Sequence, residues 1–252
     1  MKAPVALELY SVRDLYRENF EACLQKTAQI GYAGVECFGP PFLPEARVAA
    51  ALKENGLQLV GWHLPIESLE GDALPGTAAY LRAVGCARAV VPWMPPETFA
   101  EKDSVLAFAK RLTAIQRALS PFGIALGYHN HGAEFTPLAD GTLPWALLMD
   151  NTTVFGQLDN GNGLSSGAPG LDMASIVAKW PGRAETVHVK PYSFTTGYAT
   201  MIGEDDIDWP AFLAAAEGPG GAKWLIVEYE EETLYGQFEG AEKCLRALEA
   251  YR

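Results

Sequence analysis

Several features are missing from this chain, and each absence removes a class of protein. No apolar run reaches the ~20 residues that a bilayer-crossing helix needs, and the opening Met1-Lys2-Ala3-Pro4-Val5 leads into no signal-type apolar block. The four cysteines, Cys23, Cys37, Cys86 and Cys244, are scattered and form no C-x-x-C pair. Neither a disulfide framework nor a thiolate zinc site is expected from them. Clusters of Lys and Arg are absent and the formal net charge is −12, which disfavours a phosphate-backbone partner. No glycine-rich turn follows the first apolar run; Tyr10-Ser11-Val12-Arg13 stands there instead. That counts against a doubly wound dinucleotide-binding sheet. These absences lead us to expect a cytoplasmic protein with reduced cysteines, bound to neither nucleic acid nor membrane.

What the chain does contain is a repeated alternation. Short apolar, β-branched runs occur at Val5–Tyr10, Gly34–Phe38, Leu57–Trp62, Ala89–Trp93, Ile124–Tyr128, Val154–Leu158, Thr186–Val189 and Trp224–Val227. Helix-period segments lie between them. Phe20, Cys23, Leu24, Thr27 and Ala28 form one stripe; Val105, Leu106, Ala109, Leu112 and Ile115 form another. Glu239–Tyr251 puts Leu245 and Leu248 on one face. Gly31, Gly56, Gly85 and Gly123 stand before strands two to five, where helix C-caps belong. Asp208-Trp209-Pro210 reads as an N-cap with proline just inside a helix. Eight βα units with right-handed crossovers close into a barrel, and 252 residues suit one. The expected fold is α/β, a single (β/α)₈ TIM barrel spanning residues 1–252.

In such a barrel the chemistry sits at the C-terminal ends of the strands. All four histidines fall there: His63 after strand three, His129 and His131 at strand five, His188 late in strand seven. One histidine so placed is commonly a hydrogen-bonded core residue; four of four point to a site. Acidic residues share the bias. Glu36 lies near the end of strand two, Glu134 follows the His-Asn-His segment, and Asp159 and Glu228 end strands six and eight. A carboxylate directly after an apolar strand is costly unless paired or metal-bound. The bland alternative for each is a loop salt bridge. Glu8, set by alternation against Leu7 and Leu9 and early in its strand, reads as structural; Glu230-Glu231-Glu232 reads as a solvated face. Strands five to eight thus gather His or Glu, Asp, His and Glu. That oxygen and imidazole shell suits one divalent ion, Mn²⁺, Mg²⁺, Co²⁺ or Zn²⁺. A metal so held polarises a carbonyl and stabilises an enediolate, while flanking carboxylates move protons.

The chain also resembles the xylose isomerase-like (β/α)₈ superfamily, in its sugar phosphate isomerase/epimerase group. The matching stretches are Leu9-Tyr10-Ser11-Val12-Arg13, Gly31-Tyr32-Ala33-Gly34-Val35-Glu36, Gly127-Tyr128-His129-Asn130-His131 with Glu134-Phe135, and Leu158-Asp159 with Gly161-Asn162. His188-Val189-Lys190, Gly203-Glu204 with Ile207-Asp208-Trp209, and Ile226-Val227-Glu228 complete the series. The resemblance implies a metal held by Asp159, His188, Glu228 and an acidic group from the strand-five region. Epimerase-type members have Glu at strand five where this chain has His129. Dehydratase-like members with His-x-His there supply a later Glu, so the resemblance favours Glu134 over His129 as the fourth ligand. It also implies that Glu134 and Glu228 act as the acid/base pair.

Tyr10, Glu36, His63, Trp93, His129, His131 and Lys190 are expected to meet the substrate. Aromatics at strand ends stack on the C–H face of a sugar ring or pack in the core. Lys190 reaches a substrate oxygen or forms a strand-end salt bridge. The expected activity is a metal-dependent isomerase or epimerase acting on a sugar or sugar derivative through an enediolate. The alternative is a lyase or dehydratase acting on a keto-sugar or keto-inositol. A phosphodiesterase for damaged DNA would need a multi-metal, histidine-rich site and a basic surface. A non-catalytic sugar-binding barrel would not need to keep the ligands that are present. The partner is then a small sugar-like molecule. The oligomeric state stays open, with a homodimer compatible.

Overall fold

Eight short strands carry the chain around a closed ring in the computed structural model, which describes residues 2–252. They are β1 (Val5–Glu8), β2 (Gly34–Phe38), β3 (Gln58–His63), β4 (Arg88–Val91), β5 (Ala125–His129), β6 (Phe155–Asp159), β7 (Thr186–Val189) and β8 (Trp224–Val227). Each pairs in parallel with its sequence neighbours, and β8 closes onto β1 with Ala6 opposite Ile226. The (β/α)₈ expectation is met.

The helices form where the spacing requires them. Phe20–Ile30 buries Phe20, Cys23, Leu24, Thr27 and Ile30 on one face; Asn19 caps its start, and Gly31, at φ 115°, takes the left-handed turn that ends it. Lys102–Leu119 buries Val105, Ala109, Leu112 and Ile115. Asp208 caps Trp209–Glu217 through the Ala211 N–H at 3.0 Å. All four cysteines are free and buried. Among the described residues no helix is long and apolar enough to cross a membrane.

Two strands end earlier than the apolar runs suggest. β1 stops at Glu8, and Leu9–Val12 forms a 3₁₀ turn. The Glu8 carboxylate accepts the Tyr10 N–H at 3.2 Å and turns the chain there. β4 stops at Val91 because Pro92 has no N–H to continue the ladder.

The main apolar core lies between strands and helices, and a separate small cluster, Ala6, Val60, Trp224 and Ile226, fills the bottom of the barrel. Above it the interior turns polar. Room for that layer comes from Gly61: a Cβ there would stand 2.0 Å from Glu36 Oε1. Glu36 occupies the space that a side chain on β3 would have taken.

Candidate functional site

Strand register assembles the polar layer. β1 and β2 set Glu8 beside Glu36, and β5 and β6 set His129 beside Gln157. β6 and β7 set Asp159 beside His188, which lies opposite Ile226, two residues before Glu228. Residues two apart share a face, so the apolar neighbours point to the helices while these side chains point inward.

His188 is the hub. Its Nδ1 lies 2.7 Å from Glu228 Oε2 and 3.8 Å from Asp159 Oδ2, and its Nε2 lies 2.8 Å from Glu36 Oε2. Burial opposes a charge on this ring, but hydrogen bonds to Glu228 and Glu36 outweigh it and hold its pKa well above the ordinary histidine value. Glu36 is itself fully buried. Desolvation works against its charge, yet His63 and His188 hold it far below the usual carboxylate range. Glu228 is also buried, and Lys190 and His188 keep it ionised despite that.

Gln157 ties the layer together. Its amide nitrogen donates to Glu36 at 2.9 and 3.0 Å and to Thr186 Oγ1 at 2.9 Å. Its oxygen faces His63 Nε2 at 2.6 Å and His129 Nδ1 at 3.2 Å. An amide oxygen only accepts, so His129 carries its proton on Nδ1. Burial and the neighbouring His188 push the His129 pKa well down, so the ring is neutral with its lone pair on Nε2. That lone pair accepts from Asn162 Nδ2 at 3.2 Å and stands 4.0 Å from Asp159 Oδ2.

Ligand atoms of His129, Asp159, His188 and Glu228 all lie within 4.8 Å of one another. Glu8, Glu36, His63 and His188 form a second such group, but its Glu36 oxygens are already taken by Gln157 and His188. In the first group Asp159 Oδ2 is buried and has no hydrogen-bond partner; its other oxygen accepts the Asn162 N–H at 2.7 Å. Burial raises the Asp159 pKa to about 7. An orphaned carboxylate oxygen among two imidazoles and a second carboxylate fits a divalent cation. The Glu36–His188 bond supplies the outer carboxylate that commonly orients a metal-bound imidazole.

Not every expected site residue joins this group. The structure does not bring Glu134 to it. Glu134 lies in the 3₁₀ turn Ala133–Phe135, where the Tyr128 hydroxyl donates to one oxygen and the His131 N–H donates to the other at 3.0 Å. Tyr128 points outward among Phe99, Phe108 and Trp145, and it draws Glu134 toward the helix layer. Burial raises the Glu134 pKa to about 6. Lys190 is buried with its ammonium on Glu228 at 3.3 Å and on Glu230, so its position is that of the strand-end salt bridge. Glu36 is fully buried beneath Gln157 and His188 contacts and does not line the cavity.

A cavity of about 830 Å³ opens above the group. Tyr10, His63, Trp93, His129, His131 and Glu228 line it. Glu8 lines it too, which the sequence reading missed. Leu7 and Leu9 face the helix-side core, so alternation turns Glu8 inward. Its Oε2 is buried and unpartnered. Gln157, Asn162 and Asn130 were also missed. Asn130 clamps the next strand end, accepting the Asp159 N–H at 2.8 Å and donating to its carbonyl at 3.0 Å. The run Gln157-Leu158-Asp159-Asn160-Gly161-Asn162 was the available signal: four polar side chains at one strand end.

The family model described as xylose isomerase-like TIM barrel matches residues 24–251. The chain belongs to that family. Among relatives of this xylose isomerase-like barrel, inosose dehydratase of Salmonella typhimurium is 24% identical, over 96% of this chain and 92% of its own. A solved sugar phosphate isomerase/epimerase from Parabacteroides distasonis superposes with a TM-score of 0.80 at 21% identity, covering 99% of this chain and 94% of that one. An L-ribulose 3-epimerase structure gives 0.70 at 16% identity, covering 99% and 96%. These structural likenesses show the shared barrel.

Proposed function

We propose that this xylose isomerase-like barrel is a metal-dependent isomerase or epimerase acting on a sugar or sugar derivative. The observation that carries the reading is the unpartnered Asp159 Oδ2, buried beside His129, His188 and Glu228 at the strand ends. Those four residues would hold the ion, with His129 in the place first expected of Glu134. A divalent ion held there supplies Lewis-acid polarisation of a carbonyl and its neighbouring hydroxyl.

The protein's own groups do the rest. Lys190 fixes one Glu228 oxygen, and Glu36 fixes His188 through Nε2. Proton transfer beside the carbonyl falls to groups that face the cavity. Glu228 lies on its floor, and His131 also lines it. Burial lowers the His131 pKa to about 4, so the ring is neutral and its lone pair is available. Glu134, bonded to Tyr128, lies apart from the cavity lining.

Dehydration of a keto-sugar or keto-inositol is the second reading. His129 rather than a carboxylate at strand five favours it, because a single flanking group can take the proton beside the carbonyl and return it to the departing hydroxyl, which leaves as water. The name of the Salmonella relative agrees. Incubation with free ketoses and with inosose, with and without Mn²⁺, separates the two. Epimeric ketoses as products support the first reading and loss of water supports the second. No conversion of either with the ion bound refutes both.

A further inference from the structure

The cavity is chemically divided. Its floor is polar, built from Glu8, His63, His129 and Glu228 at the strand ends. Its wall is apolar, built by the loops after β2, β3 and β4 from Phe38, Pro65, Ile66, Trp93, Met94 and Pro95. Trp93 is 53% exposed on this wall, and Met94 beside it is half-buried. The wall offers no free cation among the described residues. Arg111 lines the cavity, but its guanidinium is held by both oxygens of Glu70, at 2.7 and 2.6 Å. Glu67 and Glu230 add carboxylates to the lining. A phosphate or carboxylate placed here would meet like charge from Glu67 and Glu230, and the one guanidinium in the lining is already neutralised by Glu70. The volume also exceeds what a small polyol fills: about 830 Å³ lies in the upper part of the range, roughly 300–1,000 Å³, that holds drug-sized ligands.

We propose that the loops after β2, β3 and β4 form a subsite for an uncharged, apolar substituent of aryl size on the sugar. The inference rests on reading the floor as a sugar site. The polyol lies on the floor, over Glu8, His63, His129 and Glu228. The substituent lies against Trp93, Ile66 and Phe38. Phosphorylated sugars are excluded by the same wall.

Calorimetry on Mn²⁺-loaded protein tests this with glucose, glucose 6-phosphate and phenyl β-D-glucopyranoside. The phenyl glucoside is expected to bind about tenfold tighter than glucose, the size of one good aromatic contact. Glucose 6-phosphate is expected to bind more weakly than glucose. Trp93→Ala, at an exposed position, is expected to cut the ratio of phenyl glucoside to glucose to within about threefold. Glu70→Gln frees Arg111 and is expected to strengthen glucose 6-phosphate binding. Tightest binding of the phosphate, equal binding of glucose and phenyl glucoside, a ratio untouched by Trp93→Ala, or no binding by any probe overturns the proposal. Turnover of ketoses is read separately. Turnover without a phenyl preference removes the subsite and leaves the proposed reaction, whereas a phenyl preference without turnover does the reverse.

Discussion

Gln157 has no charge and no reactive atom, yet it bonds Glu36, His63, His129 and Thr186 at once. Gln157→Leu leaves four buried polar groups without this partner and frees the His129 ring to turn. We expect a loss of roughly 10–100-fold in Mn²⁺ affinity, the range for partners behind a metal ligand, measured by titration of the apo protein. His129 and Glu134 give a sharper contrast. His129→Ala is expected to strip the ion at stoichiometric loading, and Glu134→Gln to keep about one ion per chain. Elemental analysis of both variants decides; metal lost from Glu134→Gln and kept by His129→Ala would falsify the ligand set. The structure sets Glu134 apart from the group for a local reason. Its spacing from strand five left it within reach of the metal, but Tyr128, one residue before His129, points the other way and takes it. Glu8 runs in the opposite sense: read as structural, it lines the cavity. Alternation placed it correctly, and only the closed ring shows that the face opposite Leu7 and Leu9 is the cavity.

At the scale of elements, the strand ends were legible because apolar runs stop where polar side chains begin. The bends were not. The turn after β1 depends on a carboxylate accepting an N–H two residues on, and the register shift of β3 against β2 between Val35 and Glu36 leaves no compositional trace. Gly61 stands beside that shift. Gly61→Ala puts a Cβ against Glu36, and overpacking of this kind costs about 1–3 kcal/mol. Urea denaturation of the apo protein measures it, and unchanged stability would mean that Glu36 has another place to go. The segment before helix Trp209–Glu217 makes a pH prediction. Asp205 accepts from Trp209 Nε1 at 2.9 and 3.1 Å, and burial raises its pKa to about 6. A raised acid contributes stability that is complete below its unfolded pKa and lost as pH rises through the folded one. The wild type therefore loses stability from this group between about pH 4 and pH 6. Asp205→Asn removes that slope. Because the carboxyl is partly exposed, we expect the Tm difference between the two proteins to shift by only about 2 °C over the window, in favour of the variant at the higher pH. A parallel pair of curves would assign the slope elsewhere.

For the whole molecule, an ion held by the proposed ligands would be thermodynamically linked to the fold. A ligand at a hundred times its Kd stabilises by about 2.7 kcal/mol, which for a chain of this size is a Tm rise of about 5–10 °C. Mn²⁺ is expected to produce that rise in the apo protein and EDTA to abolish it. Asp159→Asn is expected to show no rise while melting no lower than the wild-type apo form, because it removes a buried carboxylate oxygen that has no partner. A metal-dependent rise that survives in the variant would place the ion elsewhere. The barrel itself could be read from the sequence, since eight repeats with capped helices admit few topologies. The cavity could not, because its wall is made where loops of separate repeats meet. The ring also has a temporal consequence. Glu8 leaves the ribosome first among the residues at the mouth and Glu228 near the end, and β1 keeps an unpaired edge until β8 docks on it. A nascent chain stopped before residue 224 carries three of the four side chains proposed to hold the ion and an open sheet, so tight capture of the ion would report that synthesis has passed β8 and that the circle has shut.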